Sequence, residues 1–556
     1  MRSRRASGVD DWLEQSVAAF LLLSVPLTLF LRHQRYGFAT TEVFLLLLAL
    51  AGLGLLLGAV ASLSTGFEVV TIAALLTWWA DIQLLNAGAK WLVLLFVVLC
   101  LVTWILRAHA RRIASLMTAT VIAASLLPMR PAVAEASRPA GAPVVERTIE
   151  AAGDRLPLIV HLILDEHIGL EGIPEDLAPA SFKDEARTFF TDKGFKVFGG
   201  AYSEHPWTLQ SISHLLNLAA SRNDSSLYAP GPTGGTNRLT RNAYFERFRS
   251  AGFAIRAYHP DYLDECAGQV TPSDCHGYAE TSLRVVHHLP VSASQKASVL
   301  AEALLAQSEA FVRIEHLYRR IRQRPVWGPM HLPASNFDST IVAPVATMQA
   351  LDVMTTDLAQ SRPGELFFAH LLLPHFPYAY DANCRVRPPA EWRLRGEKRG
   401  ANDGGGRTNT PESRAERYAL YFEQVTCAHR MINQLLAAVP AGLRQDAILI
   451  VQGDHGSRIG RNDPTAENES TYSHADYADF YSTLFAVRAP RLEAGYEVEP
   501  MSIICLLRSL VDSRFSTTAA AAACSSERVV FFKDRTRHVL PNFISPRPGL
   551  GASTTH

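Results

Sequence analysis

The hydrophobic pattern changes character near residue 128. Before it, apolar residues run almost unbroken through Val17–Leu31, Val43–Leu63, Val69–Leu85, Trp91–Leu106 and Ile113–Leu127. Each run approaches the ~20 residues that a membrane-spanning helix needs. Five in succession with short connections predict a five-helix transmembrane domain over residues 1–130. Beyond it the apolar runs shrink to strand length: Leu158–Leu164, Phe195–Gly200, Phe253–Tyr258, Leu366–Leu373, Ile448–Val451 and Phe480–Val487. Helical periodicity lies between them, after Thr208 and over Asn242–Ser250, Ser292–Arg320, Val345–Leu358 and Ala415–Val439. Such alternation predicts an α/β domain with a buried, mostly parallel sheet. Its expected span is 157–540, after an Ala/Pro-rich linker over 131–156 and before a disordered tail over 541–556. Within the linker, Ala132-Val133-Ala134 resembles a small-residue cleavage site, which would release the domain.

Charge gives the expected orientation. Arg2, Arg4 and Arg5 precede the first span, and Arg107, Arg111 and Arg112 separate the fourth and fifth. An even number of spans lies between these clusters, so both face one side, which the positive-inside rule makes cytoplasmic. Everything after Pro128 is then extracytoplasmic. Asp81, after Trp78 and Trp79, is expected near a membrane interface. The zero formal net charge gives no support for nucleic-acid binding. Of seven cysteines, six lie in the exported part, an even number that suits an oxidising compartment. The pairs nearest in sequence are Cys266 with Cys275, Cys384 with Cys427, and Cys505 with Cys524, although sequence does not fix connectivity.

Chemistry-bearing residues follow the strands. Ile448–Val451 leads into Gly453-Asp454-His455-Gly456, and Leu158–Leu164 into Asp165-Glu166. Open α/β sheets place their sites beyond the carboxyl ends of strands. A carboxylate and an imidazole there suit one metal ion, or Asp454 caps a following helix. Pro206 discourages helix at His205, so Thr208 falls at a helix N-terminus, as a cap or as a nucleophile favoured by the dipole. His375, between Pro374 and Pro377 at a strand tip, is a turn residue or a contact to a transferred group. His370 reads as a core histidine. His474 reads as a loop residue, a phosphate contact or a metal ligand.

In this order the motifs resemble the alkaline phosphatase/sulfatase superfamily, from about Leu156 to about Pro490. The features are Leu164-Asp165-Glu166, Thr208 with Ser211 and Leu215-Leu216, Pro374-His375-Phe376-Pro377-Tyr378, and Gly453-Asp454-His455-Gly456. With the apolar spans in front, the chain is similar to membrane-anchored lipoteichoic acid synthases and phosphoethanolamine transferases. The resemblance implies an alkaline phosphatase-like doubly wound sheet and one divalent ion, Mn²⁺, Zn²⁺ or Mg²⁺. Asp165, Thr208, Asp454 and His455 would be its ligands, Thr208 the nucleophile and His375 a contact to the transferred group; His474 is expected, from its own place in the chain and not from the resemblance, as a second substrate contact. The implied activity moves a phosphoryl-linked headgroup from a phospholipid donor to an envelope glycan or lipid at the inner membrane. A membrane-anchored hydrolase is the alternative, and a non-catalytic envelope protein a third. Sulfate-ester hydrolysis is disfavoured, because no Cys/Ser-x-Pro-x-Arg setting for formylglycine is present.

Overall fold

A computed structural model describes residues 2–34, 36–83, 89–106, 109–126, 156–219, 227–231, 237–268, 272–278, 283–305, 307–308, 310–311, 343–388, 391–392, 411–460, 464–490, 492–512, 528–532 and 535–539. The chain divides into two compact units: Met1–Ala140 with Ser282–Val342 and Pro388–Ala390, and Gly141–Thr281 with Ala343–Arg387 and Glu391–His556. The stretch Ser282–Val342, read from sequence as part of the exported domain, thus groups with the N-terminal helices.

In the first unit all five apolar runs are helical, at Arg2–His33, Thr41–Ala61, Thr65–Gln83, Ala89–Ile105 and Ala110–Leu126. Among the described residues only three helices are long and apolar enough to cross a membrane: Asp10–His33, Thr41–Ala61 and Thr65–Ile82. This corrects the expected count of five. The last two helices have 17 residues each, short of a full span, and the fifth opens with Arg111 and Arg112. Thr41–Ala61 exposes Phe44, Leu48 and Leu56, a surface suited to lipid. Gly54 and Gly58 of that helix pack against the first helix, where a Cβ at Gly58 would lie 2.6 Å from Ser16 Cα. Asp81, expected near an interface, is buried; its Oδ2 accepts from the Ser308 hydroxyl at 2.7 Å and the Ala310 amide at 3.0 Å. The helical stretch expected from Ser292 is seen as Ala293–Leu305; residues 312–342 lie outside those described.

The second unit is built on an eight-stranded sheet. Its strands are β1 (Ile159–Leu164), β2 (Lys196–Phe198), β3 (Ala254–Pro260), β4 (Asp274–Tyr278), β5 (Glu365–Leu371), β6 (Ile448–Gly453), β7 (Phe485–Arg488) and β8 (Gly495–Glu497). The spatial order is β8-β2-β7-β6-β1-β5-β3-β4. Five of the seven pairings are parallel; β7 is antiparallel to both neighbours. β1 and β6 are buried at every position, as continuous apolar strands flanked on both sides must be. Leu164 at the end of β1 pairs with Gly453 of β6 and Leu371 of β5, so three neighbouring strands stop at one level. Helices Thr208–Leu216, Ala243–Ser250 and Ile503–Asp512 contribute Ile212, Leu215, Phe245, Leu506 and Leu507 to a core that includes Ile159, Ile163 and Phe368 of the sheet.

Two expectations shift at the C-terminal side. The run from Phe480 does not form one strand: His474–Tyr481 is a helix, and the strand begins at Phe485. Ser473 and Asp476 form a capping box, which sets the helix start just before His474. Cys266–Cys275 and Cys384–Cys427 are disulfides. Cys505 is also disulfide-bonded, and Cys524 lies outside the described residues.

Asn242 caps the helix Ala243–Ser250, accepting from the Phe245 amide at 2.9 Å, and also donates to the Glu265 carbonyl at 3.1 Å. Asn242→Ala loses both interactions in a buried place and should cost about 1–2 kcal/mol, read by chemical denaturation of the detergent-solubilised protein.

Candidate active site

Asp165 and Asp454 are the first residues past β1 and β6, so the register of the sheet sets their carboxylates side by side. Both are essentially inaccessible, at 1% and 0% exposure. His455 follows at once and is equally buried. Thr208 opens the helix Thr208–Leu216 and is half-buried, with its hydroxyl turned to the cluster. Trp207, not Thr208, holds the cap position, which leaves the threonine hydroxyl uncommitted to the helix end. Thr208 Oγ1 lies 3.0 Å from His455 Nε2 and 3.4 Å from Asp165 Oδ2. His455 Nε2 is 3.1 Å from Asp454 Oδ2 and 3.9 Å from Asp165 Oδ1.

Neighbouring groups fix this arrangement. The Ser211 hydroxyl donates to the Asp454 carbonyl at 2.6 Å, tying the Thr208 helix to the tip of β6. Asp454 Oδ1 accepts the backbone amides of Glu166 at 3.0 Å and His455 at 2.9 Å. His455 Nδ1 lies 2.8 Å from the Gly456 carbonyl, which leaves Nε2 facing Thr208. Gly456 is required by space, since a Cβ there would meet the Asp479 carbonyl oxygen at 2.1 Å. Asp479 is buried and accepts from the Ser457 and Tyr418 hydroxyls and the Ile459 and Gly460 amides, which clamps the loop after His455.

Glu166 and Arg458 both adopt left-handed backbone, with φ of 64° and 51°. Such residues cost about 1–3 kcal/mol each and persist where their surroundings over-determine them. Arg458 Nη2 is 3.0 Å from Glu166 Oε1, and the guanidinium lies 4.9 Å from the centre of the Trp207 ring. The pair therefore braces the residue beside Thr208.

His375, between two prolines each preceded by a cis bond, is buried with Nδ1 2.5 Å from the Phe376 carbonyl. One of its ring nitrogens lies within 4.8 Å of the Asp165 and Glu166 carboxylates. The structure thus gathers Asp165, Thr208, Asp454, His455 and His375. His474 is different: it is exposed on the first turn of its helix, and no described contact joins it to the cluster. His370, expected as a core histidine, is buried and bonded to Glu265; sequence reasoning passed over Glu265 and the approach of His370 to Asp165. His370 Nδ1 is 2.6 Å from Glu265 Oε1, and Nε2 is 3.4 Å from Asp165 Oδ2. A histidine in an apolar strand gives no local sign of such partners.

Electrostatics follow from burial. Burial pushes the Asp165 carboxyl up, but His375, His370 and His455 hold it below the usual carboxylate range. Asp454 is raised, by burial and then by the charge of Asp165. Burial lowers His370, yet Glu265 and Asp165 outweigh it and bring the metal-free imidazole to about 10. A divalent ion fits this donor set. Asp165 Oδ1 and Asp454 Oδ2 are buried without a hydrogen-bond partner. Separations of 3.0–3.9 Å among the four groups match ligands about 3.4 Å apart around a tetrahedral ion with bonds near 2.1 Å.

The sulfatase family model matches residues 195–481, just over half of the chain, and the chain belongs to that family. It is an enzyme of the sulfatase superfamily, whose matched region includes Thr208, His375, Asp454 and His455. Comparison with curated proteins gives no match. Solved structures similar to it include the zinc complex of the C-terminal periplasmic domain of EcEptC from Escherichia coli, at 13% identity and TM-score 0.37, covering 71% of this chain and 95% of that one. A phosphonate monoester hydrolase of Agrobacterium radiobacter has 13% identity and TM-score 0.38, over 65% of this chain and 73% of that one. The phosphonate monoester hydrolase SpPMH of Silicibacter pomeroyi has 17% identity and TM-score 0.37, over the same shares. At these scores the likeness carries no argument about substrate.

Gly456→Ala forces the loop after His455 away from Asp479. It should lower turnover at least about tenfold while the purified protein keeps its wild-type far-UV circular dichroism, because an ångström of misplacement in a site costs one to two orders of magnitude.

Proposed function

We propose that the chain is a metal-dependent, membrane-anchored transferase that moves a phosphoryl-linked headgroup from a phospholipid to an envelope glycan or lipid. One observation carries the reading: a half-buried threonine hydroxyl stands 3.0 Å from His455 and 3.4 Å from Asp165, beside carboxylate oxygens that lack donors. Asp165, Thr208, Asp454 and His455 are the proposed ligands of one divalent ion, Mn²⁺, Zn²⁺ or Mg²⁺. Such an ion supplies positive charge that acidifies a hydroxyl it touches and offsets charge on phosphoryl oxygens.

The chain's own residues supply the rest. Thr208 Oγ1 forms a bond to phosphorus, the bond from phosphorus to the lipid oxygen breaks, and the threonine proton ends on that oxygen, so the lipid leaves as a neutral alcohol. The first turn of the Thr208 helix turns its free amides and positive dipole end toward the added negative charge. His375, close to Asp165, is placed for contact with the transferred group. An acceptor hydroxyl then displaces Thr208 from phosphorus, and its proton returns to Thr208 Oγ1, which regenerates the enzyme. A threonine nucleophile is not the Cys or Ser from which formylglycine is made, which favours phosphoryl over sulfate chemistry. His474 remains a substrate contact only if a large acceptor extends to the exposed first turn of its helix. The apolar N-terminal helices support anchoring in the inner membrane, and the disulfides support an extracytoplasmic catalytic unit.

The test uses full-length protein in detergent with headgroup-labelled phosphatidylethanolamine or phosphatidylglycerol, plus envelope glycan. Label should move to the glycan, and intact mass should show a headgroup-phosphate adduct on the wild-type protein that is absent from Thr208→Ala. That variant should lose at least about 10³-fold in turnover, and a chelator should abolish activity until Mn²⁺, Zn²⁺ or Mg²⁺ is restored. Label found only as free headgroup phosphate makes the enzyme a hydrolase instead. Full activity of Thr208→Ala refutes both.

A further inference from the structure

We propose that His370 is a further ligand of the bound ion, through Nε2, and that Glu265 is the positioning carboxylate that holds its ring. This rests on the reading of Asp165 and Asp454 as metal ligands. His370 sits on β5, one residue before the level at which β1 and β6 end, and is fully buried. Its Nδ1 is 2.6 Å from Glu265 Oε1. An ionised carboxylate only accepts, so Nδ1 carries the hydrogen. The other nitrogen then faces the cluster. Nε2 makes no aligned hydrogen bond, although it lies 3.4 Å from Asp165 Oδ2. That separation is long for a charge-assisted bond; with Asp165, Thr208, Asp454 and His455 the ion would be five-coordinate, and 3.4 Å falls within the roughly 3.0–3.6 Å between neighbouring ligands at bonds of ~2.1 Å. One ring nitrogen of His370 and one oxygen each from Asp165 and Asp454 all lie within 4.8 Å of one another. His370 Nε2, Asp165 Oδ1 and Asp454 Oδ2 are each buried without a hydrogen-bond partner.

Glu265 is built to orient the ring. It is fully buried, where a lone carboxylate would be costly. Its backbone carbonyl accepts from Asn242 Nδ2 at 3.1 Å. Asp264 before it accepts the amides of Cys266 and Ala267, each at 3.0 Å. Cys266 after it is joined to Cys275 on β4. The loop that carries Glu265 is therefore pinned on both sides, and the ring of His370 with it. A carboxylate behind a ligating histidine fixes the tautomer and raises ligand basicity, and its loss costs 10–100-fold in metal affinity.

The test measures binding of Zn²⁺ alone, by competition with a chromophoric chelator, and the visible spectrum of the Co²⁺-loaded full-length protein in detergent. Glu265→Gln should raise the Zn²⁺ Kd about 10–100-fold with the Co²⁺ bands near their wild-type positions. His370→Gln should raise it more and shift the Co²⁺ bands, because a nitrogen ligand is lost. His370→Asn is the second variant if the first does not fold by circular dichroism. If either folded His370 variant keeps the Kd within about threefold of wild type and leaves the bands unmoved, while Asp454→Ala loses binding, the proposal is overturned and the metal reading stands. If Asp454→Ala also binds as wild type does, the metal reading fails and takes this proposal with it.

Discussion

Two carboxylates held side by side out of water are the constraint around which the catalytic unit is arranged. Asp165 and Asp454 would repel each other in a low-dielectric interior, and neither has enough protein donors to settle its charge. Three histidines, backbone amides from the two turns and a helix N-terminus gather around them, and so does the Glu166 carboxylate, which adds to the negative charge. A multivalent positive charge resolves the repulsion more completely than any of these, which is why the site makes chemical sense as a metal centre.

The sheet creates that juxtaposition cheaply. Parallel pairing of β1 with β6 and β5 in fixed register brings three chain segments, far apart in sequence, to the same height. Side-chain alternation then decides what each strand tip delivers. Residues just past the last pair face the opening, whereas His370, one step earlier, reaches the cluster from below. Loops contribute orientation more than position: Asp479 gathers the turn after His455, and Glu265 gathers His370.

Much of this was visible in the chain itself, for a physical reason. Buried strands must be apolar throughout, so their ends, and the Asp that follows each, stand out against Leu164 and Gly453. Thr208 stood out because Pro206 marks where a helix cannot yet have begun. His370 did not, since an imidazole inside an apolar run looks the same whether it is capped by a neighbour or shared with a distant carboxylate. Glu265 was invisible for the complementary reason: an acid in a Cys-containing loop defaults to solvent. His474 reads as a loop residue, a phosphate contact or a metal ligand, yet Ser473 and Asp476 spell out a helix start around it. The membrane helices erred in number rather than kind, because apolarity marks a helix as buried or lipid-facing while only length marks it as spanning.

Glu166 and Arg458 meet as an ion pair although each occupies backbone that favours glycine. The two demands pull on sequence in opposite directions. Glycine at either position would relax the main chain and delete the charge, whereas any other bulky side chain would keep the tension and lose the partner. Neither position can drift alone toward an easier residue, so a protein engineer seeking robustness would gain nothing by softening this turn without rebuilding the stack of the Arg458 guanidinium on Trp207.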